Sequence, residues 1–299
     1  MQNLKKKWTK RELSSLGFFT ILVIIPILHF FVFYIGTNLN SLLLAFTNNE
    51  GFTLDYFKLF FEEIQLTGAT ATLREGILNS LTIFAMSIVI ILPASLLFSY
   101  FLYKKILFHK YFRIVFFLPN IISAVVLVAL YENIVNEAVS PLMQSIFNMP
   151  NKPLLLGSTK YAFKTVLVYL IWLGLAANMV IYSGTMARIP VEVVESAHID
   201  GIGFLRELWS IVLPLIWPTL SVVLLLAIVS IFNSDGPILL MTQGKNGTYT
   251  LPYWIYEKTV IGNNLNYGAA VGLAFTCLSI PIMLVSRYVF SKLDNEVDY

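Results

Sequence analysis

Six long apolar segments constrain this chain more than any other feature of its sequence. Each segment is long enough to cross the hydrocarbon layer of a membrane as a helix, which takes about 20 apolar residues. The chain has 299 residues, of which 57% are hydrophobic and 12% are charged, whereas soluble domains average about 25% charged residues. It therefore lacks the polar surface of a soluble protein. The segments lie at roughly 17–37, 77–103, 113–132, 163–187, 215–234 and 268–290.

These segments must be helical within lipid, because a helix satisfies the hydrogen bonds of its own backbone. We therefore predict an all-α membrane protein with six transmembrane helices. The first apolar run, from Leu16 to Ile35, is longer than the core of a typical signal peptide, and no small-residue cleavage site follows it. We predict that it is a retained transmembrane helix. Membrane helices tolerate the prolines within these segments, which are Pro26, Pro93, Pro119 and Pro281.

Lysine and arginine residues predict the orientation, because loops on the cytoplasmic side are enriched in them. With the N-terminus inside, 13 of the 20 lysine and arginine residues fall in cytoplasmic segments. The sequence thus predicts a multi-pass protein whose N-terminus and C-terminus are both cytoplasmic. It also places the loop of residues 188–214 in the cytoplasm. The 13 residues are Lys5, Lys6, Lys7, Lys10, Arg11, Lys104, Lys105, Lys110, Arg113, Arg188, Arg206, Arg287 and Lys292.

The composition argues against several other classes of protein. The net charge of +3 is too small to indicate binding of nucleic acid. The single cysteine, Cys277, permits no disulfide within the chain and no cysteine metal site, and we expect no metal site of any kind. Gly244-Lys245 lacks the spacing of a phosphate-binding loop, so we expect this chain not to bind ATP by that route.

The charged loop at 188–214 has the pattern of two short helices. Pro190 can begin a helix, since proline is accepted at the first helical position. Asp200-Gly201 is a turn signal, and glycine suits the left-handed residue that closes a helix. A second helix is predicted from about 204 to 212, with Pro214 ending it. From physical chemistry alone, an amphipathic connector resting on the membrane surface remains an equal alternative.

The spacing within this loop resembles the EAA loop of ABC-importer permeases, with Ser196 at a position where that family usually has alanine. The resemblance implies a type I ABC importer permease fold, in which this loop forms coupling helices that dock on a cytoplasmic ATPase subunit. It also implies which residues take part in ATPase coupling. They are Glu195, Ala197, Asp200, Gly201, Ile211, Leu213 and Pro214.

The resemblance extends along most of the chain. Asn79-Ser80-Leu81, Leu118-Pro119 and the Tyr267-Gly-Ala-Ala stretch also fit the permease pattern. It implies a permease core at 75–299, preceded by a region at 1–74 that holds the cytoplasmic N-terminus, the first transmembrane helix and an outer loop. The pattern most resembles the permeases of oligosaccharide (maltose-type) importers. Phe46-Thr47-Asn48 and Leu240-Met-Thr-Gln-Gly244 carry this narrower resemblance, although Lys245-Asn246 stands where that subfamily usually has Gly-Pro.

The resemblance implies a translocating subunit of an ATP-driven importer that depends on a solute-binding protein in a bacterial cytoplasmic membrane. We expect it not to be an enzyme, because ATP and Mg²⁺ would be bound by the partner. The implied partners are a second permease, two ATPase subunits, an extracellular or periplasmic solute-binding protein, a carbohydrate and membrane lipid, with no nucleic acid. The alternatives are a permease for a peptide, amino acid or polyol, a single-chain secondary carrier and a membrane-embedded enzyme.

Polar and aromatic residues at membrane depth are candidates for the substrate pathway, because polar groups are costly there. Sugars are bound by amide and hydroxyl groups together with aromatic rings, and such sites need few charges. The alternative is that these residues make contacts between helices or belong to the interfacial aromatic belt. The candidates are Asn178, Tyr182, Ser230, Asn233, Trp172 and Tyr131.

Overall fold

The computed structural model describes residues 10–48, 50–66, 72–232 and 237–293. Within these residues, five helices are long and apolar enough to cross a membrane, and a bent pair of helices provides a sixth crossing if it forms one span. The predicted all-α architecture with six spans is confirmed. In chain order, spans 1 to 6 are Gly17–Ala45, Thr72–Tyr103, Ala124–Ile146, Ala162–Met186, the bent pair Phe204–Leu215 and Trp217–Phe232, and Leu265–Lys292.

Several spans are built from shorter helices joined through π-helical turns, which are tolerated as local insertions in a continuous helix. The α-helices of the described residues are Lys10–His29, Thr37–Ala45, Asp55–Gln65, Thr72–Met86, Leu92–Tyr103, His109–Phe117, Ala124–Ile134, Ser140–Ile146, Ala162–Met186, Val191–Ile199, Phe204–Glu207, Leu213–Leu215, Trp217–Val229, Ile238–Met241, Leu251–Tyr256 and Leu265–Leu293. The π-helical turns are Phe30–Gly36, Ser87–Ile91, Val135–Val139, Leu208–Val212 and Glu257–Ile261, and the 3-10 turns are Leu118–Asn120 and Ser230–Phe232.

Spans 2 and 4 form the centre of the packing. Gly174 of span 4 lies so close to span 2 that a β-carbon added to it would stand 2.8 Å from the Ile91 side chain. Small residues let membrane helices approach in this way. Within the spans, Tyr100, Tyr169 and Met179 are 1% exposed or less. This pair of helices is therefore the scaffold against which the other elements pack.

The third span differs from the prediction. The predicted segment 113–132 is split near Pro119, whose ring nitrogen carries no N–H group to continue a helix. The spanning helix is instead Ala124–Ile146. Within the break, the Asn120 side chain donates a hydrogen bond of 3.0 Å to a carbonyl oxygen of span 4. The spanning helix consequently ends at Ile146 rather than near residue 132.

Span 5 is bent by 78°. The sequence predicted that its first helix ends at Pro214, but the helix continues to Leu215 and the break lies at Ile216. Pro218 contributes to the break, since it has no N–H group to donate to the carbonyl oxygen of Pro214, four residues earlier. We call the first half of this span, Phe204–Leu215, the arm.

The connections on the other side of the spans are also structured. A two-stranded antiparallel hairpin, Thr47–Asn48 with Gly51–Phe52, follows span 1. The helix Asp55–Gln65 comes next, and its Phe60 side chain is 4% exposed and packs against Phe275 of span 6. Residues 237–264, which we call the 5–6 connection, return against the beginning of span 2.

Candidate functional site

The 188–214 loop begins where span 4 ends. The N–H group of Ile189 donates a hydrogen bond of 3.1 Å to the carbonyl oxygen of Met186 and closes the last turn. Pro190 then precedes the helix Val191–Ile199, which we call the loop helix. A proline at this position loses no hydrogen bond, because the first N–H groups of a helix have no partner within it.

The loop helix ends in a turn that favours glycine. Gly201 has φ +71°, a left-handed conformation that costs other residues about 1–2 kcal/mol. The N–H group of Ile202 donates to the carbonyl oxygen of Ala197 at 3.0 Å, which is the six-to-one hydrogen bond of a Schellman motif. The predicted turn at Asp200-Gly201 is thus confirmed, and it joins the loop helix to the arm.

An ion pair and an aromatic contact attach the arm to the end of span 2. Lys104 Nζ lies 2.6 Å from Oε1 and 2.7 Å from Oε2 of Glu207, whose side chain is 1% exposed. Tyr100 donates a hydrogen bond of 3.0 Å to the carbonyl oxygen of Phe204, and the centroids of their two rings are 4.6 Å apart. These polar contacts therefore fix the position of the arm against the end of span 2.

Apolar side chains complete the contact between the arm and the core. Leu208, Val212 and Ile216 are at most 1% exposed, and burying a side chain of this size contributes about 2 kcal/mol. Ala197 of the loop helix is also buried, at 3% exposed. Leu208, Val212 and Ile216 share one cluster with side chains of spans 2, 4 and 5 and of the 188–214 loop, which are Leu92, Leu96, Tyr100, Tyr182, Met186, Ile189, Leu220 and Val223.

The opposite face of the loop is open. Glu195 and Asp200 are exposed, and Ile199 is 86% exposed although it is a large apolar side chain. Leu205 and Trp209 of the arm are 62% and 65% exposed. Exposed apolar side chains with polar groups around them mark a surface that contacts another protein or a membrane.

The remaining predicted coupling residues lie at the far end of the arm. Ile211 and Leu213 are half-buried, whereas Pro214 is exposed. A cavity of about 330 Å³ separates the end of span 4 from this end of the arm. Its lining residues are Thr185, Arg188, Ile189, Pro190 and Leu215.

Two of the predicted pathway residues lie together. Tyr131 donates a hydrogen bond of 2.7 Å to the carbonyl oxygen of Thr165, and its ring meets Tyr169 edge-on at 5.0 Å. The Trp172 ring meets the same Tyr169 at 6.3 Å. Tyr131 and Trp172 are therefore neighbours in one aromatic group between spans 3 and 4.

The other predicted pathway residues are placed elsewhere. Tyr182 is 0% exposed and belongs to the cluster under the arm, where its hydroxyl has no hydrogen-bond partner among the described residues. Asn178 is half-buried, and Ser230 donates to the carbonyl oxygen of Ala227 at 2.8 Å. Asn233 lies outside the described residues. Tyr182 thus belongs to a different cluster from Tyr131 and Trp172.

Span 2 also carries a polar clamp, which we define as Glu75, Asn79 and Ser80. Asn79 Nδ2 donates to the carbonyl oxygens of Gly247 and Tyr249, at 3.1 and 2.8 Å. Glu75, Ser80 and the neighbouring Gly76 also contact the 5–6 connection. The Glu75 and Ser80 side chains accept the N–H groups of Tyr249 and Leu251, and a β-carbon at Gly76 would stand 3.2 Å from the Thr250 backbone.

The 5–6 connection is rigid where the clamp meets it. Gly244 has φ +69°, and a β-carbon there would stand 2.6 Å from the Tyr253 ring. Burial and then the nearby Glu257 carboxylate, 3.2 Å from the hydroxyl, raise the pKa of Tyr249 to about 12. The Thr242-Gln-Gly244 stretch that the sequence associated with carbohydrate permeases therefore lies in a tightly folded segment.

A second polar group joins the helix Asp55–Gln65 to span 6. Tyr267 donates a hydrogen bond to Glu63, and Lys258 Nζ lies 3.1 Å from Oε1 of the same carboxylate. Nearby, Asn266 Nδ2 donates to two carbonyl oxygens at the end of span 1 and in the hairpin, at 3.1 and 2.6 Å. The Tyr267 stretch quoted from the sequence thus has a structural role at this side of the molecule.

Sequence reasoning did not identify Tyr100 and Glu207 as site residues and used Lys104 only to predict orientation. The sequence did contain a signal, because the arm carries two adjacent charged residues, Arg206 and Glu207, and a charged residue within a membrane protein usually has a partner. The sequence alone could not identify the partner of Glu207, because 103 positions separate Lys104 from Glu207. Among the described residues, no group of three or more His, Cys, Asp or Glu side chains is arranged to bind a metal ion.

Comparison with known proteins gives a family match. Residues 77–297 match the model of a family described as "binding-protein-dependent transport system inner membrane component". The multiple sugar-binding transport system permease protein MsmF of Streptococcus mutans is 23% identical over 272 residues, which are 90% of this chain and 93% of that protein. A probable ABC transporter permease protein of Mycoplasma genitalium is 30% identical over 254 residues, covering 81% of this chain and 74% of that protein.

The fold is also similar to solved structures. A bacterial ABC transporter involved in the import of the acidic polysaccharide alginate contains a chain that superposes with a TM-score of 0.79 at 19% identity, covering 95% of this chain and 98% of that chain. A structure of a bacterial alginate ABC transporter in complex with an alginate pentasaccharide-bound periplasmic protein gives a TM-score of 0.80 at 18% identity with the same coverage.

Proposed function

This chain belongs to the binding-protein-dependent transport system inner membrane components, and from that membership we propose that it is the permease subunit of an ATP-driven importer of an oligosaccharide. The carbohydrate assignment is supported by the multiple sugar-binding permease of Streptococcus mutans and by the arabinooligosaccharides permease AraP of Bacillus subtilis, which is 23% identical over 75% of this chain. The pathway would cross a bacterial cytoplasmic membrane.

The observation that carries this proposal is the two-sided construction of the 188–214 loop. One side is fixed to the core through Ala197, Glu207 and the apolar face of the arm. The other side exposes Glu195, Asp200 and Ile199. A surface that is rigid on the inside and open on the outside is suited to receive a mechanical input from a partner protein.

We propose that the partner on this face is a cytoplasmic ATPase subunit, which would bind ATP and Mg²⁺ and close on nucleotide binding. This chain would hold no nucleotide and catalyse no reaction. A second, similar permease would complete the translocation pathway, and a solute-binding protein would deliver the carbohydrate from outside. The N-terminus and C-terminus would both lie in the cytoplasm, on the same side as the loop.

The pathway itself would use half-buried polar and aromatic groups of the spans. Asn178, Trp172 and Tyr131 are half-buried and lie on spans 3 and 4. Amide and aromatic groups suit the hydroxyl groups and apolar faces of a sugar ring. Tyr182 would reach the pathway only after the cluster under the arm rearranges, because it is fully buried in the present conformation.

Affinity purification from membranes in mild detergent tests the proposal. We expect the tagged chain to bring with it an ATPase and a second permease, and we expect Glu195→Lys to lose the ATPase while retaining the second permease. Thr82→Ala, on the exposed face of span 2, is the control. Recovery of the chain alone, with solute movement that needs no ATP, would contradict the importer and favour a secondary carrier.

Uptake measurements test the substrate and the orientation. Vesicles that hold the assembled transporter should accumulate a radiolabelled oligosaccharide but not a labelled peptide or polyol. In a Cys277→Ser background, a membrane-impermeant maleimide applied from outside should label Asn246→Cys and leave Ser196→Cys unlabelled. The reverse labelling would place the loop outside and contradict the docking of an ATPase there.

A further inference from the structure

We propose that Lys104 and Glu207 are positioning residues that make the arm and the end of span 2 move as one body during transport. This inference rests on the proposed function, because it specifies how motion at the 188–214 loop reaches a membrane-spanning helix. Neither residue touches the transported solute or a nucleotide in this scheme. Their role is to set which helix the arm moves.

The burial of Glu207 is the first step of the argument. Its side chain is 1% exposed and both carboxylate oxygens lie within 2.7 Å of Lys104 Nζ. Separating a buried carboxylate from an ammonium group in direct contact with it is strongly unfavourable. A movement of the arm that carries Lys104 with it avoids this cost. A movement of the arm alone does not.

The aromatic contact next to the ion pair acts in the same direction. Phe204 accepts the hydrogen bond of the Tyr100 hydroxyl, and its ring stacks on Phe101 with centroids 5.5 Å apart at 15°. On span 2 the contacts come from positions 100, 101 and 104, and on the arm from positions 204 and 207. Residues three and four apart share one helix face, so a single face of each helix makes all of these contacts.

The arm is joined to a glycine turn at one end and meets a break in the helix at the other. At one end the Gly201 turn has open space around it, since no heavy atom lies within 4 Å of a β-carbon placed at Gly201 or Gly203. At the other end the helix is broken at Ile216 before the second half of span 5. The arm thus lies between a glycine turn and a helix break, and its polar contacts with span 2 lie between these two points. Rotation of the arm would therefore move span 2.

A cross-linking experiment tests the inference in the assembled transporter. Cys277 is the only cysteine of the chain, so a Cys277→Ser background permits a defined pair, Lys104→Cys with Glu207→Cys. This pair removes the ion pair, and we expect it to lower the amount of solute taken up per ATP hydrolysed. A short bis-methanethiosulfonate reagent, added after assembly, should restore that ratio, because it rejoins the two segments without requiring new folding.

Two outcomes of this experiment would overturn the inference. One is a cross-linked transporter whose uptake stays low or falls further, which would mean that the two segments must move apart. The other is full uptake per ATP in the double-cysteine chain before cross-linking, which would mean that the pair is dispensable. Absence of ATP-driven uptake in the wild-type assembly would instead contradict the proposed function, so the two failures are distinguishable.

Charge exchange provides an independent readout. Lys104→Glu and Glu207→Lys should each reduce uptake per ATP by on the order of tenfold or more, as expected for an unpaired buried charge. The double exchange should restore the ratio, since the pair is re-formed in reverse. Lys105→Gln, an exposed neighbour of Lys104, is the matched control and should leave the ratio unchanged. Failure of the double exchange to restore coupling, with the complex intact, would contradict the inference.

Discussion

Asn79, near the beginning of span 2, donates a hydrogen bond of 2.8 Å to the carbonyl oxygen of Tyr249, which lies 170 positions later in the chain. The same amide group donates to Gly247 at 3.1 Å. Irregular backbone at the edge of a membrane needs such partners, because its carbonyl groups have no neighbours in a regular helix. The polar Asn79-Ser80 pair near the beginning of an apolar segment is thus explained by the connection that it fixes.

Asn79→Ala should lower the free energy of unfolding by about 2 kcal/mol, because two hydrogen bonds of about 1 kcal/mol each are lost. Thermal unfolding in detergent and limited proteolysis of the 5–6 connection would both report the change. Thr82→Ala removes a hydroxyl that donates a hydrogen bond to the Leu78 carbonyl oxygen of its own helix, and it serves as the control. Equal effects of the two substitutions would contradict the clamp.

Gly201→Ala should weaken the turn after the loop helix by about 1–2 kcal/mol, because the added β-carbon disfavours the left-handed backbone at φ +71°. Gly203→Ala is a matched control, since Gly203 has φ −71° and equally open surroundings. We expect Gly201→Ala to reduce recovery of the ATPase subunit on purification, and Gly203→Ala to leave it unchanged. The opposite order would show that backbone conformation at this turn does not matter.

Lys104→Met should destabilise the protein more than Glu207→Gln does. The first change leaves a carboxylate that is 1% exposed without its partner, which costs about 3–5 kcal/mol. The second leaves a lysine that is 16% exposed and whose long side chain can reach water. The double variant Lys104→Met with Glu207→Leu should recover most of the loss, because apolar groups replace both charges. Thermal midpoints of the four proteins in detergent would measure this order.

The two buried tyrosines under the arm should respond to loss of their hydroxyl groups in opposite directions. The Tyr100 hydroxyl donates to Phe204, so Tyr100→Phe should cost about 1 kcal/mol. The Tyr182 hydroxyl has no partner among the described residues, so Tyr182→Phe should be neutral or stabilising, since an unsatisfied buried group is removed. Thermal unfolding distinguishes the two, and destabilisation by Tyr182→Phe would show that a partner forms.

Stability at the 5–6 connection should fall in alkaline solution. The pKa of Tyr249 is raised from 10.0 to about 12 in the folded protein, first by burial and then by Glu257. A raised pKa contributes stability that is complete below the unfolded value and is lost as the pH rises through the folded value. The loss should therefore occur between pH 10 and 12. Tyr249→Phe should make proteolysis of this connection less dependent on pH over that window.

The sequence was sufficient to predict the helical spans but not the positions at which the helices are broken. Apolar runs and lysine positions predicted six crossings, because the length and composition of a segment determine whether it can span a membrane. They did not show that the chain would break near Pro119 and begin a new helix at Ala124, or that the helix before Ile216 would continue past Pro214. The outcome depends on whether neighbouring helices satisfy the carbonyl group that each proline frees, and that is a property of packing.

The sequence predicted those parts of the candidate site that depend on residues close together in the chain. Gly201 was predicted to be left-handed from the Asp200-Gly201 turn signal at the end of a predicted helix, and it is. The sequence did not predict the attachment of the arm to span 2, because Tyr100 and Lys104 meet their partners only after spans 2 and 5 have packed together. Among the pathway candidates, Tyr131 and Trp172 meet only through Tyr169, a residue that no motif singled out.

Span 1 has a consequence for how the protein is made. All of the side chains from position 18 to position 34 are exposed, and near the far end of the span Asn266 donates hydrogen bonds to the carbonyl oxygens of Leu44 and Thr47. A helix in this situation is stable in lipid without help from the remainder of the chain. Its insertion into the bilayer therefore does not depend on the folding of the later spans.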